Sequence, residues 1–542
     1  MSAPQFDQDS IIQLSQQKYP KRPHLTYQYG TAGFRTLGTD LGSVMFRVGV
    51  LAALRSRKKS GQTIGVMITA SHNPAQDNGV KLVDPEGEML ETVWEPYATQ
   101  LANAQSDDEL RAALDRIINM ESIDCTERAR VIYARDTRPT GAELAKALKD
   151  GLDAAGAEST DFHETTTPIL HYLVRATNTQ GTKDVYGKAT IDGYFDKLSK
   201  AFKKLLAGKH TPLLPLVIDC ANGVGTYAAQ QFKDKLSDIL TLELRNTRTN
   251  EPEELNKSCG ADYVKVNQKA PSSLALQRGQ RSCSLDGDAD RLIYYYVDQQ
   301  HGFHMLDGDK ISTLVASFIV EVVKTSGLDK DISVGVVQTA YANGSSTKYL
   351  AERLPVKCAS TGVKHLHHEA QSFDVGVYFE ANGHGTVLFS KSAQDKIASH
   401  KPASEAQSEA FVHLQNLIDV INQTVGDALS DMLLVEVILS HQSYGAEEWD
   451  ALYSDLPNRL VKVVVKDRGA FKTADQERRL VSPPGLQPKI DELVREYEGG
   501  RSFVRPSGTE DVVRVYAEAK EQADELASRV ARLVHDKAGR DL

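Results

Sequence analysis

The densest chemistry in the chain is the run Asp286-Gly-Asp-Ala-Asp-Arg291, where Asp286, Asp288 and Asp290 stand at alternate positions. If the loop curls so that alternate side chains face inward, the three carboxylates can share one hard divalent cation. An all-oxygen donor set suits Mg²⁺ or Ca²⁺ and not zinc. An EF-hand is excluded by position: its sixth residue should be Gly and is Arg291, and its twelfth should be Glu and is Val297. Three protein ligands leave coordination for a phosphate, so Mg²⁺ shared with a phosphate is the expected occupant. The plain alternative, a solvated acidic turn, would hold three mutually repelling acids between CSL and LIYYY with nothing to offset them.

Three other loops carry reactive groups. Thr69-Ala-Ser-His-Asn-Pro74 follows the apolar run IGVMI, which puts Ser71 on an exposed loop just past a strand end. With His72, Asn73 and Lys81 close in sequence, Ser71 could be a nucleophile or a phosphate carrier; in isolation the same tetrapeptide reads as a helix cap or turn. It is not a G-x-S-x-G elbow, so a hydrolase triad is not indicated. Arg505-Pro-Ser-Gly-Thr-Glu-Asp511, followed by Arg514, combines two forked donors with Ser507, Thr509 and the amides around Gly508, while Pro506 limits backbone freedom. That composition makes an anion nest suited to a phosphate. Phe379-Glu-Ala-Asn-Gly-His-Gly385 offers Glu380 and Asn382 around Ala381, a carboxylate and an amide of the kind that read sugar hydroxyls; on its own it reads as a β-turn.

Two further motifs are set aside. Gly223-Val-Gly225-Thr-Tyr-Ala228 is nearly a dinucleotide fingerprint, yet no ribose-reading acid closes a βαβ unit after it, so a strand-to-helix turn is expected. His365-Leu-His-His368-Glu369 lacks an H-E-x-x-H or paired Cys and reads as a polar helix face, with Lys364 beside it. There is no G-x-x-x-x-G-K-[ST], which argues against a P-loop enzyme.

The elements that position these loops alternate between β-like runs and helices. TIGVMITA, ARVIYARD, PLVIDC, CSL, LIYYYVD, ISVGVVQTA and DVGVYF read as strands, and SDDELRAALDRIINM, DKISTLVASFIVEVVKTSG, residues 402–440 and EQADELASRVARLVHDK as helices. Such alternation implies α/β layering. The 542 residues correspond to about three or four domains, and the loops divide them into blocks 1–180, 181–298, 299–432 and 433–542. Hydrophobic residues at 41% and charged residues at 25% are ordinary for a globular protein. The formal charge of −10 disfavours a broad grip on nucleic acid or anionic lipid but allows a locally basic pocket for a phosphorylated small molecule. Five scattered cysteines imply a reducing compartment without disulfides or structural zinc. The polar opening stretch lacks an apolar export segment, and MLLVEVIL is too short to span a bilayer and is interrupted by Glu436. A cytoplasmic protein is therefore expected, with its three N-x-S/T sequons fortuitous and no oligomeric state specified.

In order along the chain, the four loops resemble those of the α-D-phosphohexomutase superfamily: a phosphoserine loop, a D-G-D-x-D-R metal loop, a sugar loop and a C-terminal phosphate loop. The sugar loop E-A-N-G-H-G, Ala289 in the metal loop, and the segments Tyr29–Arg35, Asn256–Asp262 and Asn422–Asp427 are similar to the eukaryotic phosphoacetylglucosamine mutase branch. This resemblance implies three α/β mixed-sheet domains and a C-terminal α+β domain around a central cleft. It implies interconversion of N-acetylglucosamine 6-phosphate and 1-phosphate for UDP-N-acetylglucosamine synthesis, through a phosphoserine and a glucosamine-type 1,6-bisphosphate that is intermediate and activator. Ser71 would carry the phosphoryl group, and one Mg²⁺ would bind Asp286, Asp288, Asp290 and a phosphoserine oxygen. Glu380, Ala381 and Asn382 would read the sugar, with Gly383 and Gly385 making room for its acetyl group. Arg505, Pro506, Ser507, Gly508, Thr509 and Arg514 would hold the non-reacting phosphate; Arg35, Lys81 and Lys364 are candidates for charge stabilisation or proton transfer. The partner is a sugar phosphate, with neither nucleic acid nor membrane. A glucose or mannose phosphate mutase and a non-catalytic sugar-phosphate sensor stand as the rival readings.

Overall fold

The computed structural model describes residues 6–208, 213–507 and 512–538. They fall into two units: Met1–Asp307 with Asn382–Thr386 and Val412–Ala446, and Gly308–Ala381 with Val387–Phe411 and Glu447–Leu542.

In the first unit, strands β1 (Phe34–Leu37), β2 (Thr63–Ile68), β3 (Asp77–Val83), β4 (Ala129–Arg135) and β5 (Ala157–Glu164) form a sheet in the order β1-β3-β2-β4-β5. The apolar run of β2 is buried along its whole length because it is central, parallel to β4 and antiparallel to β3. Its C-terminal end delivers Ser71, while β1 carries Arg35 and β3 carries Lys81. A second sheet, β6 (Leu216–Asp219), β7 (Leu242–Arg245), β8 (Ser282–Leu285), β9 (Leu292–Val297) and β10 (Phe303–Leu306), has the order β10-β9-β8-β6-β7. The antiparallel pair β8–β9 is joined by the acidic loop, so the two β-rich runs around it make a hairpin that presents Asp286–Asp290 at its tip.

The segment expected to be helical over 402–440 is two helices, Glu405–Val420 and Ala428–Gln442. The block border expected at 432/433 falls inside the second of these, which runs without a break. Its apolar run is core, and Glu436, buried within it, is matched by Arg281 Nε at 3.1 Å and by the Tyr294 hydroxyl at 3.1 Å. A buried charge with such partners does not end a helix.

In the second unit, β11 (Val334–Thr339), β12 (Val356–Ala359), β13 (Val375–Phe379) and β14 (Gly385–Phe389, which belongs to this unit from Val387 on) follow the order β12-β11-β13-β14. β15 (Asn458–Val464), a hairpin of β16 (Lys472–Ala474) and β17 (Arg479–Ser482), β18 (Arg501–Pro506) and β19 (Val512–Glu518) come last, and the sheet order there is β15-β19-β18. The helix Ala523–Ala538 adds Leu526, Val530 and Val534 to the apolar core under that sheet. The five cysteines are free, and among the described residues no helix is long and apolar enough to cross a membrane.

Helix Gly42–Lys58, almost wholly buried, holds the first sheet in place and must bury three arginines, Arg47, Arg55 and Arg57, to do so. Arg47 donates to the carbonyls of Leu101, Ala102 and Ala104 at 2.9, 3.1 and 2.9 Å, closing the C-terminus of helix Glu95–Asn103. Arg55 forks onto Asp84 at 2.8 and 2.6 Å and lies 4.6 Å from the Trp94 ring centroid. Arg55→Ala strands the buried Asp84 carboxylate, with an expected cost of about 3–5 kcal/mol. Replacing both residues by Leu should recover most of that loss. Chemical-denaturation midpoints of the unmutated chain and the two variants check it.

Candidate active site

Ser71 is only 1% exposed, so the exposed loop serine expected from the sequence is in fact enclosed. The cause is Arg138, whose Nη2 donates to the carbonyls of Ser71 and Asn73, both at 2.8 Å, and whose Nη1 donates to those of Pro74 and Asp77. Asp136 holds this guanidinium at Nε, 3.0 Å away, and accepts from the Thr69 hydroxyl at 2.6 Å; that hydroxyl in turn accepts from the Ser71 N–H at 2.9 Å. Asn256 adds a donation to the Ser71 carbonyl at 2.9 Å. Thus the turn signal Asp136–Gly141 supplies the residue that shapes the serine loop. Ser71 itself has φ of 54°, a left-handed conformation that this carbonyl clamp enforces.

The held serine points at the acidic loop. Its Oγ donates to Asp286 Oδ2 at 2.6 Å. The other Asp286 oxygen accepts from the N–H groups of Asp290 and Arg291, at 3.0 and 3.1 Å, which curls the loop as the alternate spacing requires. Ala289 takes φ of 60° at the bend. Oxygens of Asp286, Asp288 and Asp290 lie within 4.8 Å of one another, and this is the one such cluster among the described residues. Asp288 Oδ1 is buried with no hydrogen-bond partner among them. Three buried carboxylates with an orphaned oxygen fit a hard divalent cation.

Polar and cationic groups already surround the cluster. Lys81 Nζ is 3.5 Å from Asp288 and 3.2 Å from Asp290, and His384 Nδ1 is 3.2 Å from Asp290. Thr167, at the start of helix Thr167–Thr179, donates its hydroxyl to Asp288 at 2.6 Å. Burial, then the neighbouring Asp290 and Asp288, push the Asp286 carboxyl well above the usual range. Burial also disfavours charge on Asp290, but His384 and Lys81 outweigh it and hold that carboxyl well below. Burial, with Arg291 and Arg35 adding to it, lowers His72 to about 2, so its imidazole stays uncharged. Arg35 is buried, and burial together with Arg291 depresses its pKa.

The Gly-rich turn set aside as a decoy also serves this loop. A Cβ at Gly223 would sit 2.5 Å from the Gly287 carbonyl oxygen, so the turn after β6 can abut the acidic loop only without a side chain. The His-rich helix Val363–Ala370 buries Leu366 and Ala370, and His367 Nδ1 lies 3.0 Å from the Tyr378 hydroxyl. Lys364 sits in its first turn.

In the second unit, Glu380 and Ala381 follow the end of β13, and Glu380 accepts from the Gly362 N–H at 3.1 Å. Asn382, in the first unit, accepts from the His384 N–H at 3.0 Å, so its carbonyl closes the turn. Gly383 does not provide ligand space: with φ of 85°, a Cβ there would lie 2.0 Å from the Leu292 carbonyl oxygen. Its missing side chain lets the loop pair with β9, where its carbonyl accepts from the Leu292 N–H. At the other loop, Arg505 and Arg514 are direct partners across β18 and β19, like charges that repel unless an anion lies between them. Arg505 Nε donates to Glu477 at 2.8 Å, and Arg514 Nε is buried with no partner among the described residues. Pro506 ends β18, and the Ser507 N–H donates to the Val512 carbonyl at 2.9 Å; Gly508 and Thr509 lie outside the described residues.

Family models described as phosphoacetylglucosamine mutase AMG1, domains II and III, match residues 183–293 and 307–444. Those described as phosphoglucomutase/phosphomannomutase α/β/α domain I and C-terminal domain match 49–184 and 460–535. A phosphoacetylglucosamine mutase of Sus scrofa is 51% identical over 542 residues, 98% of each chain. An Aspergillus fumigatus N-acetylphosphoglucosamine mutase, solved in complex with GlcNAc-6P and magnesium, is 51% identical with a TM-score of 0.93, covering 97% of this chain and 98% of its own. Another structure of the Aspergillus fumigatus mutase, in complex with glucose 1,6-bisphosphate, is 50% identical with a TM-score of 0.93 and covers 98% and 99%.

If the three carboxylates hold the cation, Asp288→Asn should weaken Mg²⁺ binding by at least about tenfold, roughly 1.4 kcal/mol. Calorimetric titration of the chelator-stripped protein reads this directly. Unchanged affinity would place the cation elsewhere.

Proposed function

The chain belongs to the phosphoacetylglucosamine mutases, with their four-domain α/β phosphohexomutase fold, and we propose from this that it interconverts N-acetylglucosamine 6-phosphate and N-acetylglucosamine 1-phosphate. The observation that carries the reading is the 2.6 Å contact between the Ser71 hydroxyl and Asp286, a phosphate acceptor set against a three-carboxylate cluster. A non-catalytic sensor would need the phosphate loop but not this pairing.

In the proposed cycle Ser71 carries a phosphoryl group at rest. The sugar's 1-hydroxyl oxygen bonds to that phosphorus as the bond to Ser71 Oγ breaks, and the hydroxyl proton passes to a base of the chain. The product is a 1,6-bisphosphate. Ser71 Oγ takes up a proton as it leaves the phosphorus. After the sugar turns end for end, Oγ bonds to the 6-phosphorus as that phosphorus's bond to the sugar's 6-oxygen breaks. The Ser71 proton passes to the 6-oxygen, and the 1-phosphate remains. Asp286, Asp288 and Asp290 would hold Mg²⁺, which when bound offsets negative charge on the transferring group. Lys81 adds a fixed ammonium beside Asp288 and Asp290, and buried Arg35 a second cation. Of the proton-transfer candidates, Lys81 stands against the carboxylate cluster; Arg35 and Lys364 keep the same candidacy. Arg138 and Asn256 keep the serine loop from sagging when Oγ changes from ester to alcohol.

Arg505, Pro506, Ser507, Gly508, Thr509 and Arg514 are assigned to the phosphate that is not reacting. Because this clamp is fixed, the bisphosphate and not the protein must turn. Glu380, Ala381 and Asn382 are assigned to the sugar. Four domains, one per loop, and a cytoplasmic location supplying 1-phosphate for UDP-N-acetylglucosamine synthesis complete the reading.

The N-acetyl group presents a carbonyl and an N–H that must be satisfied when buried. Losing such a bond costs about 1–3 kcal/mol, roughly ten- to a hundredfold in specificity. In direct competition at equal concentration, N-acetylglucosamine 6-phosphate should therefore outrun glucose 6-phosphate, and Asn382→Ala should narrow the gap more than it slows glucose phosphate. Product analysis decides, and a win by glucose phosphate with the unmutated protein would overturn the substrate assignment.

A further inference from the structure

The phosphate clamp has a partner that the proposed cycle does not use. β16 and β17 are joined through Asp475, Gln476 and Glu477, whose φ angles are 54°, 50° and 69°. Three consecutive non-glycine residues in the left-handed region are strained, and such strain persists only where surrounding contacts over-determine it. Here the contacts converge on Glu477. Its Oε1 accepts from Arg505 Nε at 2.8 Å, and its Oε2 accepts from the Thr361 N–H at 3.0 Å. The ion pair is largely enclosed, with side-chain exposures of 19% and 18%. Burial disfavours the charge on Glu477, but the bond from Arg505 outweighs it and holds the carboxyl below its ordinary value.

The next amide in the chain is held in the same way. Gly362, with φ of 116°, donates its N–H to Glu380 Oε1 at 3.1 Å. Two carboxylates thus grip two successive amides, one reaching from the β16–β17 turn beside Arg505 and the other from the sugar loop. Because Glu477 takes the Nε edge of Arg505, it also sets the rotation of the guanidinium plane, on which forked phosphate recognition depends.

We propose that Glu477 is a positioning residue that orients Arg505 and ties it, through the Thr361–Gly362 amides, to Glu380, so that phosphate clamp and sugar-reading carboxylate are set as one unit. The inference rests on the reading of Arg505 as a phosphate ligand. It predicts that phosphate affinity is lost when Glu477 is neutralised even though Glu477 itself touches no substrate.

The test uses the full chain with Mg²⁺ in a Ser71→Ala background, so that N-acetylglucosamine 6-phosphate binds without turning over. Calorimetry on Glu477→Gln should show affinity reduced about tenfold, with Glu477→Asp, whose reach is too short, reduced likewise. The double variant Glu477→Gln with Arg505→Lys should bind within about twofold of Arg505→Lys alone, since one acts through the other. Hydrogen exchange at the Thr361 amide should speed up at least about tenfold in Glu477→Gln, with the rest of the 472–482 hairpin protected as before. If Arg505→Lys weakens binding while Glu477→Gln does not, or the two losses multiply, the positioning role is wrong and the clamp stands. If Arg505→Lys binds as tightly as the unmutated residue, the clamp itself is wrong and the inference falls with it. General loss of protection across 472–482 in both Glu477 variants would make Glu477 a hairpin anchor and also overturn the proposal.

Discussion

Three carboxylates, essentially without solvent exposure, lie within 4.8 Å of each other in the first unit, and the rest of that unit is arranged around the repulsion among them. Burial and mutual charge both oppose ionisation, so the cluster is tolerable only with compensating groups on all sides. The chain brings those groups from four separate places. Lys81 comes from β3, Thr167 from a helix start, His384 from the loop before β14, and the loop's own amides bind Asp286. Lys81 stands on a strand and Thr167 on a helix, and His384 and the amides come from buried loops, so the site's geometry depends on how these pieces pack.

Ser71 depends on the same logic. A serine next to buried acids would turn away unless its backbone were fixed, and Arg138 fixes it by binding the carbonyls of Ser71, Asn73, Pro74 and Asp77 while Asp136 holds the guanidinium. Ser71, and Ala289 in the loop that it contacts through Asp286, are both left-handed; Arg138 and Asn256 hold the Ser71 carbonyl, and the Ala428 N–H donates to that of Ala289. The strain is thereby stored where the chemistry is placed.

What was legible in the sequence was whatever is contiguous in it. The three carboxylates of the acidic loop alternate within five residues, and the strands that carry them are unbroken apolar runs. What was not legible is contact across long separations: Arg138 lies 67 residues from Ser71, Thr167 is 121 from Asp288, and Asn256 is 185 from Ser71. Arg138 was visible only as part of a turn, and His384 only as one letter of the sugar loop. Glu436 looked like an interruption because its partner Arg281 is 155 residues away. Gly383 and Gly223 looked like freedom for a ligand or a turn, whereas each marks a place where another backbone approaches too closely for a Cβ. The exposure expected of Ser71 failed for a related reason, since a loop past a strand end is exposed only if nothing distant draws it in.

The central claim is that the Ser71 hydroxyl is where the phosphoryl group resides between turnovers. It is tested most directly by incubating the full chain with Mg²⁺ and glucose 1,6-bisphosphate, then measuring intact mass and mapping the modified peptide. The account predicts one added phosphoryl group per chain, on Ser71, removed again on incubation with N-acetylglucosamine 6-phosphate as bisphosphate forms. An unmodified chain, or a phosphate mapped to any other residue, would contradict it.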